Sequence, residues 1–164
     1  MTTEIPTNGA TGAWFVTLRR YFVCFAIGSL TWEIAQLPLY TLSRTGSLGD
    51  QLFAVVHCTG GDLLIGGSAL LLSLLVVGDQ SWPHNRYVRV AVVAGALGLS
   101  YTIFSEWLNV SVRQSWDYTD RMPRLPGVGT GLSPLLQWVA VPLLAFWWGQ
   151  RRRFDRPAFV ETSK

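Results

Sequence analysis

Apolar residues gather into four long blocks separated by short polar connections. This spacing predicts membrane-crossing helices rather than amphipathic surface helices. The blocks fall near 16–40, 51–78, 87–109 and 132–149. About 20 mostly apolar residues cross the hydrocarbon core as a helix. The first block contains YFVCFAIGSLTWEIAQLPLY, and the second, from Gln51 to Gly78, ends in a Leu-rich run. The third reads VRVAVVAGALGLSYTIFSEWL; the fourth and shortest reads LSPLLQWVAVPLLAFWWG. Any one block alone would also suit a buried helix of a soluble domain. Four together leave no amphipathic helices to cover them. The expectation is an all-α, polytopic membrane protein built as a four-transmembrane-helix bundle.

Composition sharpens this picture. Apolar residues make up 49% of the 164 and charged residues 14%, against about a quarter charged in a soluble domain. The charges sit mostly between the blocks. Arg19, Arg20, Arg86, Arg89, Arg151, Arg152, Arg153, Arg156 and Lys164 fall on one side of the expected bilayer; Arg44, Arg113, Arg121 and Arg124 fall on the other. Positive charge favours the inside, so both termini are expected in the cytoplasm of a bacterial inner (plasma) membrane protein. The tail 151–164, with RRRFDRPAF, reads as a headgroup anchor and not as a nucleic-acid site. Residues 1–13 are Thr- and Gly-rich and are expected to be disordered, leaving 14–150 as the transmembrane domain. No small-residue cleavage site follows Arg19 and Arg20, so the first block is expected to stay as a helix. Cys24 and Cys58 both lie inside blocks and read as small packing residues.

Interfacial aromatics fit the same topology. Trp14, Phe15, Trp82, Trp147 and Trp148 mark one face, and Tyr40, Trp107 and Trp138 the other. Ser133 before Pro134 predicts a hydroxyl N-cap with proline at the first helical position. Pro38 and Pro142 should bend or end their helices. Gly60, Gly61, Gly66 and Gly67 are expected to let helices pack closely, with local distortion at Gly60–Gly61 as the alternative. The connection 110–131 is the longest and carries Trp116, Asp117, Tyr118, Asp120 and Arg121. It suits either a lid over a site or an ordinary exterior loop. No internal repeat is visible, which argues against an inverted-repeat transporter.

Ionisable side chains inside such blocks are costly and mark candidate sites. Glu33, His57, Asp62 and Glu106 are the four, and they form the catalytic candidate set. With a rise of about 1.5 Å per residue, all four, together with Gln137, fall in the outer, periplasmic half of the bilayer. Agreement among four helices suggests one shared pocket. Trp32, Gln36, Trp107, Asn109, Trp116, Tyr118 and Gln137 are the candidate ligand-binding residues around it. His57 and Asp62 are five positions apart, which places them about 140° apart around a regular helix. Only a wide pocket or a distorted helix would bring both into one site.

Two or three carboxylates sharing a low-dielectric pocket repel one another, so at least one should hold a proton near neutrality. A protonated and an ionised carboxylate side by side form an acid/base pair. A divalent metal on Glu33, His57, Asp62 and Glu106 is chemically sensible, but no ligand spacing supports it, and no cofactor is expected. His57 and His84 belong to opposite faces, which excludes a haem held by both. No phosphate-cradling loop, nucleophile elbow or nucleotide fingerprint is present.

The segments WEIAQLPLY (32–40), HCTGGD (57–62), EWLNV (106–110) and GTGLSPLLQW (129–138) resemble those of a group of bacterial four-helix inner-membrane proteins with no assigned activity. The likeness spans about residues 14–149 and implies topology without mechanism. A looser resemblance is to the four-helix EXPERA group, which includes the emopamil-binding sterol isomerase. It would pair His57 and Asp62 with Glu106, Gln137 and Trp138. The five-residue His57–Asp62 spacing departs from that group's one-turn pattern, and Glu33 is additional.

The leading expectation is a membrane protein that binds a lipid-like or other hydrophobic small molecule, or performs acid/base chemistry on it. Glu33, Asp62 and Glu106 would exchange protons and His57 would relay them. The alternatives are a non-enzymatic accessory subunit of a larger membrane complex, or a proton-coupled transporter acting as a homo-oligomer. The sequence does not decide whether the protein is an enzyme.

Overall fold

The structure, a computed structural model, describes residues 8–127 and 129–151. Helix α1 runs Asn8–Gln36, α2 Leu42–Thr45, α3 Leu48–Val77, α4 Tyr87–Glu106 and α5 Leu132–Gln150. A 3-10 turn at Leu37–Leu39 follows α1, and a π-helical segment at Trp107–Val112 extends α4. Among the described residues there is no β-strand, only two isolated bridges. Four segments are long and apolar enough to cross a membrane: Gly12–Leu39, Leu48–Val77, Tyr87–Val112 and Leu132–Gln150. The expected four-helix architecture therefore stands.

The ends of the helices follow from local chemistry. Pro38 has no backbone N–H to continue α1, and the chain tightens into the 3-10 turn there. Ser47 caps α3: its hydroxyl accepts from the Asp50 amide at 3.2 Å, and Asp50 Oδ2 accepts from the Ser47 amide at 2.9 Å. This reciprocal pair starts α3 three residues before the expected Gln51. At the far end of α3, Asp79 accepts from the Ser81 amide at 2.9 Å and pairs with Arg86 at 3.2 Å, closing the turn into α4.

Several sequence expectations need correction. Helix α1 begins at Asn8, inside the stretch 1–13 expected to be disordered; residues 1–7 lie outside the described residues, as does the basic tail beyond Arg151. The N-cap of α5 is Gly131, not Ser133, because the Ser133 hydroxyl is drawn into an interhelical hydrogen bond. Pro134 then occupies the first turn, where no N–H is needed. Of the two outcomes expected for Pro142, a bend or an end, the end does not occur, since α5 continues to Gln150. Trp138 is not an interfacial belt residue: it is 5% exposed and meets Phe25 at 5.8 Å between ring centres.

The helices pack in the cyclic order α1, α5, α4, α3, each against two neighbours. Their inward faces follow helical spacing: Thr17, Tyr21, Phe25 and Ser29 on α1, and Val90, Ala94, Gly98, Thr102 and Glu106 on α4. The interior is graded. At the end near the termini it is aromatic, with Tyr21, Trp82, Tyr87 and Phe146 in one cluster. Trp14 packs edge-on to Trp82 at 4.7 Å, and the Tyr87 hydroxyl donates to the Phe146 carbonyl at 2.5 Å. At the other end the interior becomes polar. Outward faces are apolar, with Leu64 and Val76 each 75% exposed, as lipid contact requires and a water-soluble bundle would not tolerate.

Glycines serve close packing only in part. A Cβ at Gly66 would stand 2.7 Å from Phe25 Cζ, and one at Gly98 would run into the Trp138 ring. Gly60 and Gly61 have open space in front of them, and α3 is unbroken there. The close-packing expectation holds for Gly66 and fails for that pair, as does the expectation of a distorted helix.

Candidate functional site

The polar end of the interior is built by three residues of α1 and one from each of the other long helices. On α1, Ser29, Glu33 and Gln36 share the inward face with Phe25 at spacings of three and four residues. Asp62 lies on the buried stripe of α3 with Gly66, Ala69 and Ser73. Glu106 ends the stripe of α4, and Gln137 faces inward from α5.

These groups are joined by hydrogen bonds. Gln36 Nε2 donates to Glu33 Oε1 at 2.9 Å and to Gln137 Oε1 at 3.3 Å. Gln137 Nε2 donates to Asp62 Oδ2 at 2.6 Å. Helices α3 and α5 are diagonal in the bundle, so this last bond crosses its axis. Ser133 Oγ donates to Gln36 Oε1 at 2.8 Å and accepts from the Trp32 indole at 3.2 Å. The chain thus runs from Trp32 to both carboxylates across three helices. The Ser29 hydroxyl, 1% exposed, lies beside Asp62.

Glu106 is held from the other side by the long connection. The Tyr118 hydroxyl donates to Glu106 Oε2 and accepts from the Gly131 amide, the last at 3.0 Å. A Cβ at Gly131 would stand 3.0 Å from the Tyr118 ring, so glycine there admits the phenol. The segment is tied to the end of α1: the Thr41 amide donates to the Asp117 carbonyl at 3.0 Å, and the Thr119 amide to the Leu39 carbonyl at 2.9 Å. Tyr118, Thr119, Met122 and Thr130 are buried. Through these four residues and Gly131, the connection packs over this end of the bundle, while its other described residues are largely exposed.

Glu33 is within electrostatic reach of both Asp62 and Glu106, and Cys58 of all three. Among the described residues, the two ion pairs, Arg86–Asp79 and Arg124–Asp117, lie elsewhere. The surroundings act on two tyrosines of the cover and its anchor. Burial pushes the Tyr40 hydroxyl well above its ordinary range, and the charges of Glu106 and Glu33 add to the effect. Tyr118 is raised by burial and then by the Glu106 charge, while the Gly131 amide and Arg124 pull the other way.

A phenol raised in the folded state contributes stability that is complete below its unfolded value of about 10 and is lost as pH rises past it. Tyr118→Phe is expected to cost stability at neutral pH, since Glu106 and Gly131 each lose a partner, about 1.5–3 kcal/mol for the bond to a charged group. It is also expected to flatten the loss seen on raising pH above about 10. Unfolding midpoints across that interval check this; parallel curves for parent and variant would count against it.

The structure sorts the sequence candidates. Trp32, Gln36, Trp116, Tyr118 and Gln137 surround Glu33, Asp62 and Glu106, with the half-buried Trp116 beside Glu106. His57 does not join them: it is exposed on α3 and stacks on Phe53 at 5.4 Å. Trp107 is 45% exposed and packs toward Phe104. Asn109 donates to the Ser105 carbonyl of its own helix at 2.9 Å. Ser133, Tyr40 and Cys58 were not among the sequence candidates. Ser133 lies four residues before Gln137 on the same helical face, which is the signal that could have found it. Among the described residues no group of three His, Cys, Asp or Glu side chains is placed to hold a metal ion.

No family model, curated protein or solved structure matches the chain.

Proposed function

We propose that the carboxylate cluster binds a lipid-like molecule from the surrounding bilayer and exchanges protons with it, as in an isomerisation or proton transfer. One observation carries this reading: Glu33 and Asp62 are linked across the bundle through two amides, and among the described residues no Lys, Arg or His is hydrogen-bonded to either. A carboxylate at helix centre costs about 2.5–3.5 kcal/mol on insertion scales. Polar glue between helices is available from neutral side chains at less cost. Glu33 and Asp62 would exchange the proton, Glu106 would add acidity from the covered side, and Trp32 and Trp116 would flank the ligand. The charge asymmetry of the connections supports a periplasmic position for this end.

The test is mass spectrometry of the full chain purified in mild detergent. A bound hydrophobic molecule is expected with the parent. Glu33→Gln and Asp62→Asn are expected to lose it, or to accumulate it unconverted, while keeping helicity and size. Identical bound content and identical product in parent and both variants would remove the reading.

A second reading has its own observation. His57 is a polar ring on an otherwise apolar outward face, and the backbone at Gly60 and Gly61 is open in front of it. A helix of another subunit would find both close approach and a hydrogen-bonding partner there. The protein would then be a member of a homo-oligomer or an accessory subunit of a larger membrane complex. Native mass spectrometry distinguishes the two: a stoichiometric protein partner lost in His57→Ala favours the second, a monomer with bound lipid the first.

A further inference from the structure

We infer that Trp32 and Ser133 are positioning residues for the two carboxylates: the indole N–H fixes the direction of the hydrogen-bond chain that ends on Glu33 and Asp62. An indole nitrogen can only donate, and an ionised carboxylate can only accept. Everything between them has a choice, and the two ends remove it.

Starting from Trp32, Nε1 donates to Ser133 Oγ at 3.2 Å, and the serine hydroxyl donates onward to Gln36 Oε1 at 2.8 Å. With its oxygen engaged, Gln36 presents both amide protons elsewhere, one to Glu33 Oε1 at 2.9 Å and one to Gln137 Oε1 at 3.3 Å. The Gln137 oxygen is thereby taken, and its nitrogen faces Asp62 Oδ2 at 2.6 Å. Turning either amide over would set N–H against N–H, or a carbonyl oxygen against a carboxylate. Each such mismatch in a buried site costs about 1–3 kcal/mol. With the carboxyl oxygens that face the amides acting as acceptors, one arrangement satisfies every member, and in it Glu33 and Asp62 each receive one amide proton. Gln36 and Gln137 are 4% and 3% exposed, so water does not compete for these bonds.

Trp32 and Ser133 touch neither carboxylate. They act through the amides, and their expected effect is on how strongly Glu33 and Asp62 are hydrogen-bonded. This rests on the reading of those carboxylates as the acid/base pair, but it can be checked with no ligand present.

The experiment is isotope-edited infrared spectroscopy of the full chain in lipid nanodiscs at neutral pH, with carbon-13 in the aspartate carboxyl groups. The Asp62 band is assigned by its disappearance in Asp62→Asn. Trp32→Phe and Ser133→Ala are expected to displace that band, because Gln137 loses its fixed orientation. Ser133→Thr, which keeps the hydroxyl, is expected to restore the parent position. Trp147→Phe, an exposed tryptophan at the opposite end, is expected to leave it in place. Should Trp32→Phe fail to assemble, the Ser133 pair decides alone. An Asp62 band unmoved in Ser133→Ala, or displaced equally in Ser133→Ala and Ser133→Thr, overturns the positioning role while leaving the proposed function standing. Unchanged ligand content in Glu33→Gln and Asp62→Asn would do the reverse.

Discussion

Gly98→Ala is expected to destabilise the bundle by about 1–3 kcal/mol, the usual range for an extra methyl forced into a filled interior. The added Cβ would run into Cζ3 of Trp138, whose ring is 5% exposed and already packed against Phe25. Neither side can yield cheaply. The glycine backbone belongs to a continuous helix, and the indole has core neighbours behind it. In a bilayer the apolar effect does not drive helices together, so shape complementarity of this kind carries more of the association. A smaller ring should relieve the clash. In a Trp138→Phe background, Gly98→Ala is expected to cost much less than in the parent. Reversible unfolding in mixed micelles gives the four stabilities of this cycle. Equal losses in both backgrounds would show that the α4–α5 approach does not depend on this contact.

Gln137→Leu is expected to have an effect of similar size. Interhelical hydrogen bonds between membrane helices average about 0.6 kcal/mol, but this one ends on a carboxylate at 2.6 Å, across the axis of the bundle. Bonds to charged groups are worth about 1.5–3 kcal/mol. Leucine would remove the donor to Asp62 and also the acceptor for Gln36. Removing both ends of the diagonal bond should be gentler than removing one, because the penalty comes from the orphaned partner. The double variant Asp62→Leu with Gln137→Leu is therefore expected to be more stable than Gln137→Leu alone. A double variant that loses the sum of the two single losses would mean the bond contributes nothing of its own.

The architecture was legible because hydropathy needs only block length. Four blocks of sufficient length leave little choice of fold, and helix ends moved by a few residues where caps intervened, as at Ser47 and Asp50. The carboxylates were legible for the same reason: Glu33, Asp62 and Glu106 stand out against apolar surroundings. His57 stood out equally, and only the angle distinguished it. Five positions from Asp62 place it on another side of α3, and an unbroken helix through Gly60–Gly61 keeps it there. Trp138 illustrates the opposite difficulty. A tryptophan near a block end reads as interfacial until the glycine it packs against, forty positions earlier in the chain, is known. The same limit hid the role of Ser133. A hydroxyl at a helix start looks like a cap, and although Tyr118 stood among the candidates, only tertiary pairing shows that it bonds Glu106.

The π-helical segment at Trp107–Val112 sets the length of a tether. Glu106 and Tyr118 are twelve residues apart in the chain yet bonded to each other, so the stretch between them must turn back on itself. Part of it is wound with bonds from residue i+5, such as the Arg113 amide to the Leu108 carbonyl at 2.8 Å. Such a coil holds one more residue per turn than an ordinary helix. Shortening this stretch by one residue would remove that extra residue and leave the tether from Glu106 to Tyr118 one residue shorter. The phenol would be drawn off the acid it meets, while the third span, Tyr87–Val112, lost a single residue and the other three kept their lengths. A single-residue deletion here would thus leave a protein that inserts and folds normally but has its covered end pried open.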